Sequence, residues 1–376
     1  MGKTIRLGVK IRRGGFWLAD RLAGGKVRKF YRELKKSPEE RPPPSQELQK
    51  LLAHTAATTD FYKAYKGCTD IRYYPVVTKD VIRKNYNRFV SSAFRGRFLH
   101  VMKTSGTSGE RFSVLQNREK RKRVLAELIY YNEQCGLFPG DKFVYFRAWY
   151  PDNRRSNLVF RAMNMIPMEC TSLSDPSLQT LAALLQKDRS ITALKGYATS
   201  FGAMADYFER QGLTPDCFHI QTIISGAERL DSSTRARLEN LFGCPVVSRY
   251  SNQENGILAQ QAIENDAFVP NTAHYLFEFL KLDSDMPASD GEPSRLIVTD
   301  LYNRATPFIR YDTGDIVLSR CDSAGNGIIT DISGRCDEIV YDTRGNKISP
   351  NSAVLDFLPF PKILRYQLVQ HSLRDF

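Results

Sequence analysis

No two cysteines in this chain are spaced C-x-x-C, and the seven present (Cys68, Cys135, Cys170, Cys217, Cys244, Cys321 and Cys336) are scattered and odd in number. That argues against a disulfide framework or a zinc ribbon and for reduced thiols in a cytoplasmic protein. No stretch is long and apolar enough to span a bilayer. Met1 to Asp20 is basic but lacks the apolar run of a signal peptide, and Arg6 stands where myristoylation wants a hydroxyl. Acidic residues are in short supply, 41 against 54 basic, for a net charge of +13. The deficit calls for an anionic partner, with nucleotides, acidic polysaccharide precursors, nucleic acid and membrane surface all admissible. No internal repeat stands out.

What is present is a chain of 376 residues, long enough for two or more domains, with 42% hydrophobic and 25% charged residues as in ordinary globular proteins. Residues 1–44 are basic and end in Pro42-Pro43-Pro44, which reads as a stiff connector after an N-terminal extension. Ser45 opens a helical pattern with Leu48, Leu51, Leu52 and Phe61 on one buried face. Pro75 to Asp80 reads as a strand end turning into a short helix. Asn117 caps a helix that runs to Cys135 and stops at Gly136. The run Arg118 to Arg123 reads as a solvated face of that helix, since no aromatics interleave with its charges as a nucleic-acid patch would require.

Strands and helices then alternate. Lys142–Trp149, Ile191–Tyr197, Ile220–Ser225 and Val246–Tyr250 are strand-like. Helices fall between them, opened at Asp175-Pro176, Ser200 and Asp231. Such alternation predicts β-α-β units, an α/β fold with helices on a mostly parallel sheet. Past residue 270 the short apolar runs Tyr275–Leu282, Arg295–Leu301, Asp315–Ser319 and Gly327–Asp331 predict an antiparallel, barrel-like region.

The stretch from Thr104 through Ser105, Gly106, Thr107 and Ser108 to Gly109 consists only of glycine and small hydroxyl residues. Glycine allows close backbone approach, and hydroxyls with bare N–H groups make a nest for phosphate oxygens. Taken alone it is equally a flexible loop. It is not a Walker loop, because Glu110 and Arg111 follow Gly109, and Glu110 also breaks the nucleophile-elbow pattern around Ser108. Four more polar turns sit at predicted strand ends, where open α/β sheets place ligands: Ser225-Gly226-Ala227-Glu228, Tyr250 to Gly256, Tyr311 to Asp315, and Gly334 to Glu338.

In this order the five stretches resemble the adenylate-forming superfamily of acyl-CoA synthetases, particularly the phenylacetate–CoA ligases and the CapK-like proteins of capsule-biosynthesis loci. The resemblance spans roughly residues 70 to 376. It implies a large N-terminal ATP- and substrate-binding domain over residues 45–335, and the start of a C-terminal lid, incomplete against the family, over residues 336–376. It implies that Thr104, Ser105, Gly106, Thr107, Ser108 and Gly109 order the ATP phosphates. Ser225, Gly226, Ala227 and Glu228 would lie along the adenine and the reacting end of the substrate. Tyr250, with Ser251 beside it, would stack on adenine. Glu254 would hold Mg²⁺, Asp315 the ribose hydroxyls, and Arg335 the ribose or phosphate, with Asp337 as the hinge. Thr104, Thr107, Glu254 and Arg335 would then serve the chemistry: a carboxylic acid joins the α-phosphate, pyrophosphate leaves, and the acyl group passes to coenzyme A or to an amine or hydroxyl acceptor.

The chain departs from the family in places. Glu110 and Arg111 replace lysine and proline after the phosphate loop, and Ser251 and Gln253 replace glycine and threonine. The segment Leu258 to Ala262 lacks metal ligands, with only His274 nearby, so no structural zinc is expected. No residue matches the lysine of the family's lid, and Lys347 lies in a turn after the hinge. A non-catalytic nucleotide-binding module is therefore the alternative, with nucleic-acid binding through residues 26–36 and 118–123 a distant third. A homodimer is left open. Trp149, Tyr150 and Tyr197 are read as lining an acyl pocket or, equally, as core.

Overall fold

The computed structural model describes residues 7–41, 43–104, 112–149, 154–170, 173–263, 266–321, 327–335, 340, 341, 343, 347, 348 and 370–375. The N-terminal basic segment is helical: α1 (Leu7–Leu22) is followed by α2 (Lys26–Lys35). Asp20, buried at the end of α1, accepts the N–H groups of Val27 (3.1 Å) and Arg28 (2.9 Å), which places a carboxylate on the otherwise bare N-terminus of α2. The apolar face of α2, made of Val27, Phe30 and Leu34, then packs against another helix far along the chain.

α3 (Pro44–Thr58) carries proline in its first turn and buries Leu48, Leu51 and Leu52. These meet Ile82 of α4 (Lys79–Lys84) and Phe89 of α5 (Tyr86–Phe89), together with Phe308, Ile309 and Tyr311 from the far end of the sequence. Thr78 caps α4 by accepting from Val81 N, as the turn at Pro75–Asp80 foreshadows. β1 (His100–Thr104) and β2 (Phe112–Gln116) form an antiparallel pair in which Thr104 stands opposite Phe112. The residues between them, 105–111, lie outside the described residues, so the phosphate loop does too.

α6 (Arg118–Gln134) stops where Gly136 takes a φ of +80°. Its basic first turns do not form the solvated face expected from the sequence. Lys120 is fully buried in an ion pair with Asp300 at 2.7 Å, and Arg123 is buried between the rings of Phe30 and Tyr302. The reason is that α2 covers one side of α6 and residues 274–303 cover another, so that turn has no water to face.

Four crossovers follow: β3 (Lys142–Arg147), α7 (Asn157–Ala162), β4 (Met165–Glu169), α8 (Asp175–Lys187), β5 (Ile191–Gly196), α9 (Ala198–Arg210), β6 (Thr222–Gly226), α10 (Ser232–Phe242) and β7 (Val246–Asn252). The strands pair in parallel in the order β4-β3-β5-β6-β7, the β-α-β arrangement the alternation predicts. Side chains alternate across each strand. Val144, Leu194, Ile223 and Val246 face Leu181, Phe201 and Leu238 of the helices, while Ala193, Ile224 and Val247 face Cys135 and Leu137 at the end of α6. Each fully buried side chain of the Leu, Ile, Val or Phe type contributes about 1.5–3 kcal/mol of transfer free energy. Asp231 caps α10 through Thr234 N, and Gly243 ends it with a left-handed φ of +60°. At α8 the cap falls one residue earlier than expected, on Ser174, with Asp175 as the first helical residue.

The antiparallel region begins at residue 256 and continues the same sheet. β8 (Gly256–Gln261) folds back on β7, followed by β9 (Phe268–Pro270), β10 (Tyr275–Leu280), β11 (Pro293–Asp300), β12 (Tyr311–Cys321) and β13 (Gly327–Arg335). The full order is β10-β11-β12-β13-β9-β8-β7-β6-β5-β3-β4, eleven strands in one sheet. β14 (Val340–Tyr341) and β15 (Lys347–Ile348) form a separate short pair. Among the described residues no helix is long and apolar enough to cross a membrane.

Candidate active-site cleft

The C-terminal ends of β5, β6 and β7, the turn between β7 and β8, and the N-terminal half of β12 border a cleft of about 2750 Å³. Open α/β sheets bind ligands at such strand ends because the connecting turns leave backbone groups and polar side chains pointing into the crevice. Three of the turns marked in the sequence meet here. The Tyr250 hydroxyl donates to Asp315 Oδ2, joining β7 to β12. Burial and the neighbouring carboxylate push the Tyr250 hydroxyl well above its ordinary pKa, so it stays a donor.

Glu254 sits in the β7–β8 turn with 2% of its side chain exposed. Its Oε1 receives the Tyr311 hydroxyl at 3.2 Å and lies 2.9 Å from Lys79 Nζ. Its carbonyl accepts from Gln116 Nε2 at 3.1 Å. Lys79 reaches this point because Val77 bridges β12 through Val77 N to Arg310 O (3.0 Å) and Asp312 N to Val77 O (2.9 Å), which fixes the start of α4 over the cleft. Gly256 closes the turn at φ +129°, and a Cβ there would stand 2.6 Å from Glu127 Oε2.

Ser225, next to last in β6, is fully buried, and its hydroxyl has no hydrogen-bond partner among the described residues. Ala227 follows at φ +67°, a conformation that side chains rarely adopt and that marks strained turns at binding sites. Glu228 is held at the start of α9, accepting Thr199 N at 2.9 Å and Thr199 Oγ1 at 2.8 Å. Ser251 and Gly226 line the cleft, as do Trp149 and Tyr197. Arg335 closes β13 opposite Asp315 in register, so the two expected ribose-site residues lie on neighbouring strands. Thr104 ends β1. Ser105, Gly106, Thr107, Ser108 and Gly109, the hinge residue Asp337, and Tyr150 lie outside the described residues.

Sequence reasoning passed over Lys79, Lys195 and Arg249 as site residues. The last two lie in apolar strand runs, Ile191 to Gly196 and Val246 to Tyr250, where a single charge is itself a signal. Behind the cleft, His274 is buried with Nδ1 at 2.6 Å from Glu127 Oε1 and Nε2 at 3.2 Å from Arg123. Nε2 facing a guanidinium must accept, so Nδ1 carries the proton and donates to Glu127. Burial holds the imidazole below its usual pKa, in keeping with a neutral ring.

A doubly wound parallel sheet extended by antiparallel strands, with polar turns gathered at its strand ends, is the fold of solved acyl-CoA ligases, and the chain is similar in sequence to proteins of the adenylate-forming kind. No family model matches it. By sequence it is 28% identical over 253 residues to protein CapK of Staphylococcus aureus, covering 66% of this chain and 54% of CapK, so the match spans about half the length of that relative. It is 23% identical over 345 residues to the phenylacetate-coenzyme A ligase of Thermus thermophilus, covering 86% of this chain and 76% of that one. By structure it is similar to a 2-hydroxyisobutyryl-CoA ligase in complex with an acyl-AMP (TM-score 0.68, 16% identity, 85% of this chain and 72% of that chain). ATP-bound MatB from Rhodopseudomonas palustris superposes with a TM-score of 0.51 at 16% identity, over 69% of this chain and 52% of MatB.

Proposed function

We propose that this chain binds ATP and a carboxylic acid in the strand-end cleft, joins them as an acyl-adenylate with release of pyrophosphate, and passes the acyl group to coenzyme A. The observation that carries the reading is the meeting of Tyr250, Asp315, Glu254 and Lys79 from four separated segments in one cleft. Such convergence at strand ends that border an open cleft suits a ligand with several chemically distinct parts.

Asp315 presents a carboxylate to the ribose hydroxyls, and the Tyr250 hydroxyl fixes its direction while the ring offers a flat face to adenine. By the resemblance, Thr104 to Gly109 would supply hydroxyls and N–H groups to the β- and γ-phosphates, and Thr107 and Arg335 would serve the charge that grows on phosphorus. Ser225 offers an unengaged hydroxyl, and Gly226 and Ala227 a tight backbone, to the reacting end. Glu254 fits a magnesium site of the usual kind, in which one carboxylate is completed by substrate phosphates and water. Its Oε1 is taken by Lys79 and Tyr311, which leaves Oε2 for the ion. Bound there, Mg²⁺ would neutralise phosphate charge. By the resemblance, Asp337 would be the hinge of a lid over residues 336–376. A second setting, implied by the sequence resemblance to capsule-biosynthesis proteins, would have a polysaccharide amine or hydroxyl in place of coenzyme A as acceptor.

ATP–pyrophosphate exchange across a library of acids tests the activity, and AMP titration calorimetry tests the cradle. Asp315→Asn should weaken AMP at least tenfold while the far-ultraviolet spectrum stays unchanged. AMP binding indifferent to Asp315 would remove the nucleotide assignment.

A further inference from the structure

On the face of the parallel strands turned toward α6, side chains fall in rows. Tyr145, Lys195 and Ile224 are register neighbours in one row, and Arg249 stands beside Gly226 in the next, nearer the strand ends. Arg147 follows Tyr145 by two and so shares its face. Three cations, Arg147, Lys195 and Arg249, therefore gather on the floor of the cleft.

Among the described residues no ion pair joins Lys195 or Arg249 to a carboxylate, while Arg147 stands opposite Glu169 of β4 in register. Arg249 is buried, donating from Nε to Gln260 (2.7 Å) and from one terminal nitrogen to Asn132 (3.0 Å), and its other terminal nitrogen has no partner. Lys195 Nζ lies 5.4 Å from the Tyr145 ring, and the Arg147 guanidinium lies 5.7 Å from the Trp149 ring. Arg249 is buried and Lys195 and Arg147 are half-buried, and neighbouring cations withdrawn from water without counter-charge are costly and repel one another. Elsewhere the chain compensates its buried cations: Lys120 has Asp300, and Arg123 has Glu33 and Glu119. Among the described residues nothing supplies that compensation to Lys195 or Arg249, and an anion entering the cleft would.

We infer that the acid taken by this chain carries a second anionic group, held by Lys195, Arg147 and Arg249 while its reacting carboxyl lies at the Ser225–Glu228 turn. The inference rests on the adenylation reading above and narrows its substrate class. Gly226 adds no side chain to this face, and even a Cβ there would meet only Arg249 O at 3.6 Å, so the way from the strand ends to the cations is open. Burial, with repulsion from Arg249 and Arg147, lowers the proton affinity of Lys195, and an arriving anion reverses that effect. Anion binding is thus coupled to proton uptake.

The test is titration calorimetry of the full chain with succinate, glutarate and adipate, each against its monomethyl ester, and with 3-phosphonopropionate, in the presence and absence of AMP. At least one diacid or the phosphonate should bind ten times more tightly than the matched half-ester. Its heat should vary with buffer ionisation enthalpy as protons are taken up. Lys195→Met should bring diacid and half-ester within twofold while leaving AMP binding intact. Equal affinity of every diacid and half-ester for the wild-type chain, or a preference untouched by Lys195→Met, overturns the inference. Where Lys195→Met fails to fold, the preference of the wild-type chain for diacid or phosphonate over half-ester decides, and its absence counts against the anion pocket. If AMP itself does not bind, it is the nucleotide reading that falls.

Discussion

Replacing Lys120 by Met tests whether the basic start of α6 is part of the core. Lys120 and Asp300 have side chains 0% and 1% exposed with nitrogen and oxygen 2.7 Å apart. Lys120 also donates to the Tyr275 hydroxyl at 2.8 Å. Methionine keeps the length of the chain and removes the charge, leaving the Asp300 carboxylate buried without its cation. Breaking such a pair from one side costs about 3–5 kcal/mol. Asp300 keeps the N–H groups of Tyr302 (2.9 Å) and Asn303 (3.1 Å) on Oδ1, which favours the lower end. A loss of about 3 kcal/mol is a large share of the 5–15 kcal/mol that holds a typical domain together. Urea unfolding followed by tryptophan fluorescence and circular dichroism should show a lower midpoint with an unchanged slope. Adding Asp300→Asn, which keeps an acceptor for the two N–H groups but removes the orphaned charge, should recover at least half of the loss. A cost below about 1 kcal/mol, the range of exposed pairs, would mean that water reaches this turn and that the buried assignment is wrong.

Gly256→Ala should destabilise by about 1–3 kcal/mol, because φ is +129° and the new methyl would crowd Glu127 Oε2 at 2.6 Å and the Tyr275 hydroxyl at 3.0 Å. Calorimetry should contrast it with Gly202→Ala in α9, where nothing lies within 4 Å and stability should rise by about 0.5–1 kcal/mol. Stability should also fall on acidification. His274 is held below 6.5 by burial, so the unfolded chain binds a proton there before the folded one, and stability drops as pH falls from about 6.5 downward. Burial opposes ionisation of Glu127, but Lys120, His274 and the Ile257 N–H outweigh it and hold the carboxyl below its ordinary 4.5, which adds a second loss at lower pH. Charged or titratable groups around the pair are Arg123, Lys120 and Tyr275. His54 and His100 are also lowered by burial, so a His274→Asn variant is needed to assign its share. A denaturation midpoint flat between pH 7.5 and 5.5, near the ordinary histidine pKa of about 6.5, would refute the neutral buried imidazole.

The fold was legible wherever one local rule spoke for itself. Asp231 and Gly243 bracket α10 because a cap and a left-handed stop need those residue types, and the apolar cores of β5, β6 and β7 needed only their composition. Tyr250, Glu254 and Asp315 stood out because polar turns between apolar strands are unusual, whatever they contact, and all three line the one cleft. Their pairing was not readable, since the hydrogen bond of Tyr250 to Asp315 spans 65 positions and depends on β12 lying across from β7. The N-terminal helices were missed for a related reason: α2 buries only Val27, Phe30 and Leu34, and its worth depends on α6 being there to receive them.

The misreading of Arg118 to Arg123 and the neglect of Lys195 and Arg249 have one physical root. A charged residue is assigned to water by default, because isolated burial is so costly. On α6 that default fails because carboxylates more than a hundred residues away, such as Asp300, come to meet the charge. On β5 and β7 it fails without any such partner among the described residues. The two failures have different meanings. A buried cation matched within the chain is part of the structure and is tested by stability. One left unmatched at the end of a parallel strand, facing a cleft, is tested by ligand affinity. Glu254 and Asp315 border the same cleft from the β7–β8 turn and β12, so an entering molecule meets carboxylates on one side and cations on the floor. A ligand with hydroxyls at one end and an anion at the other is oriented by that polarity before any side chain moves.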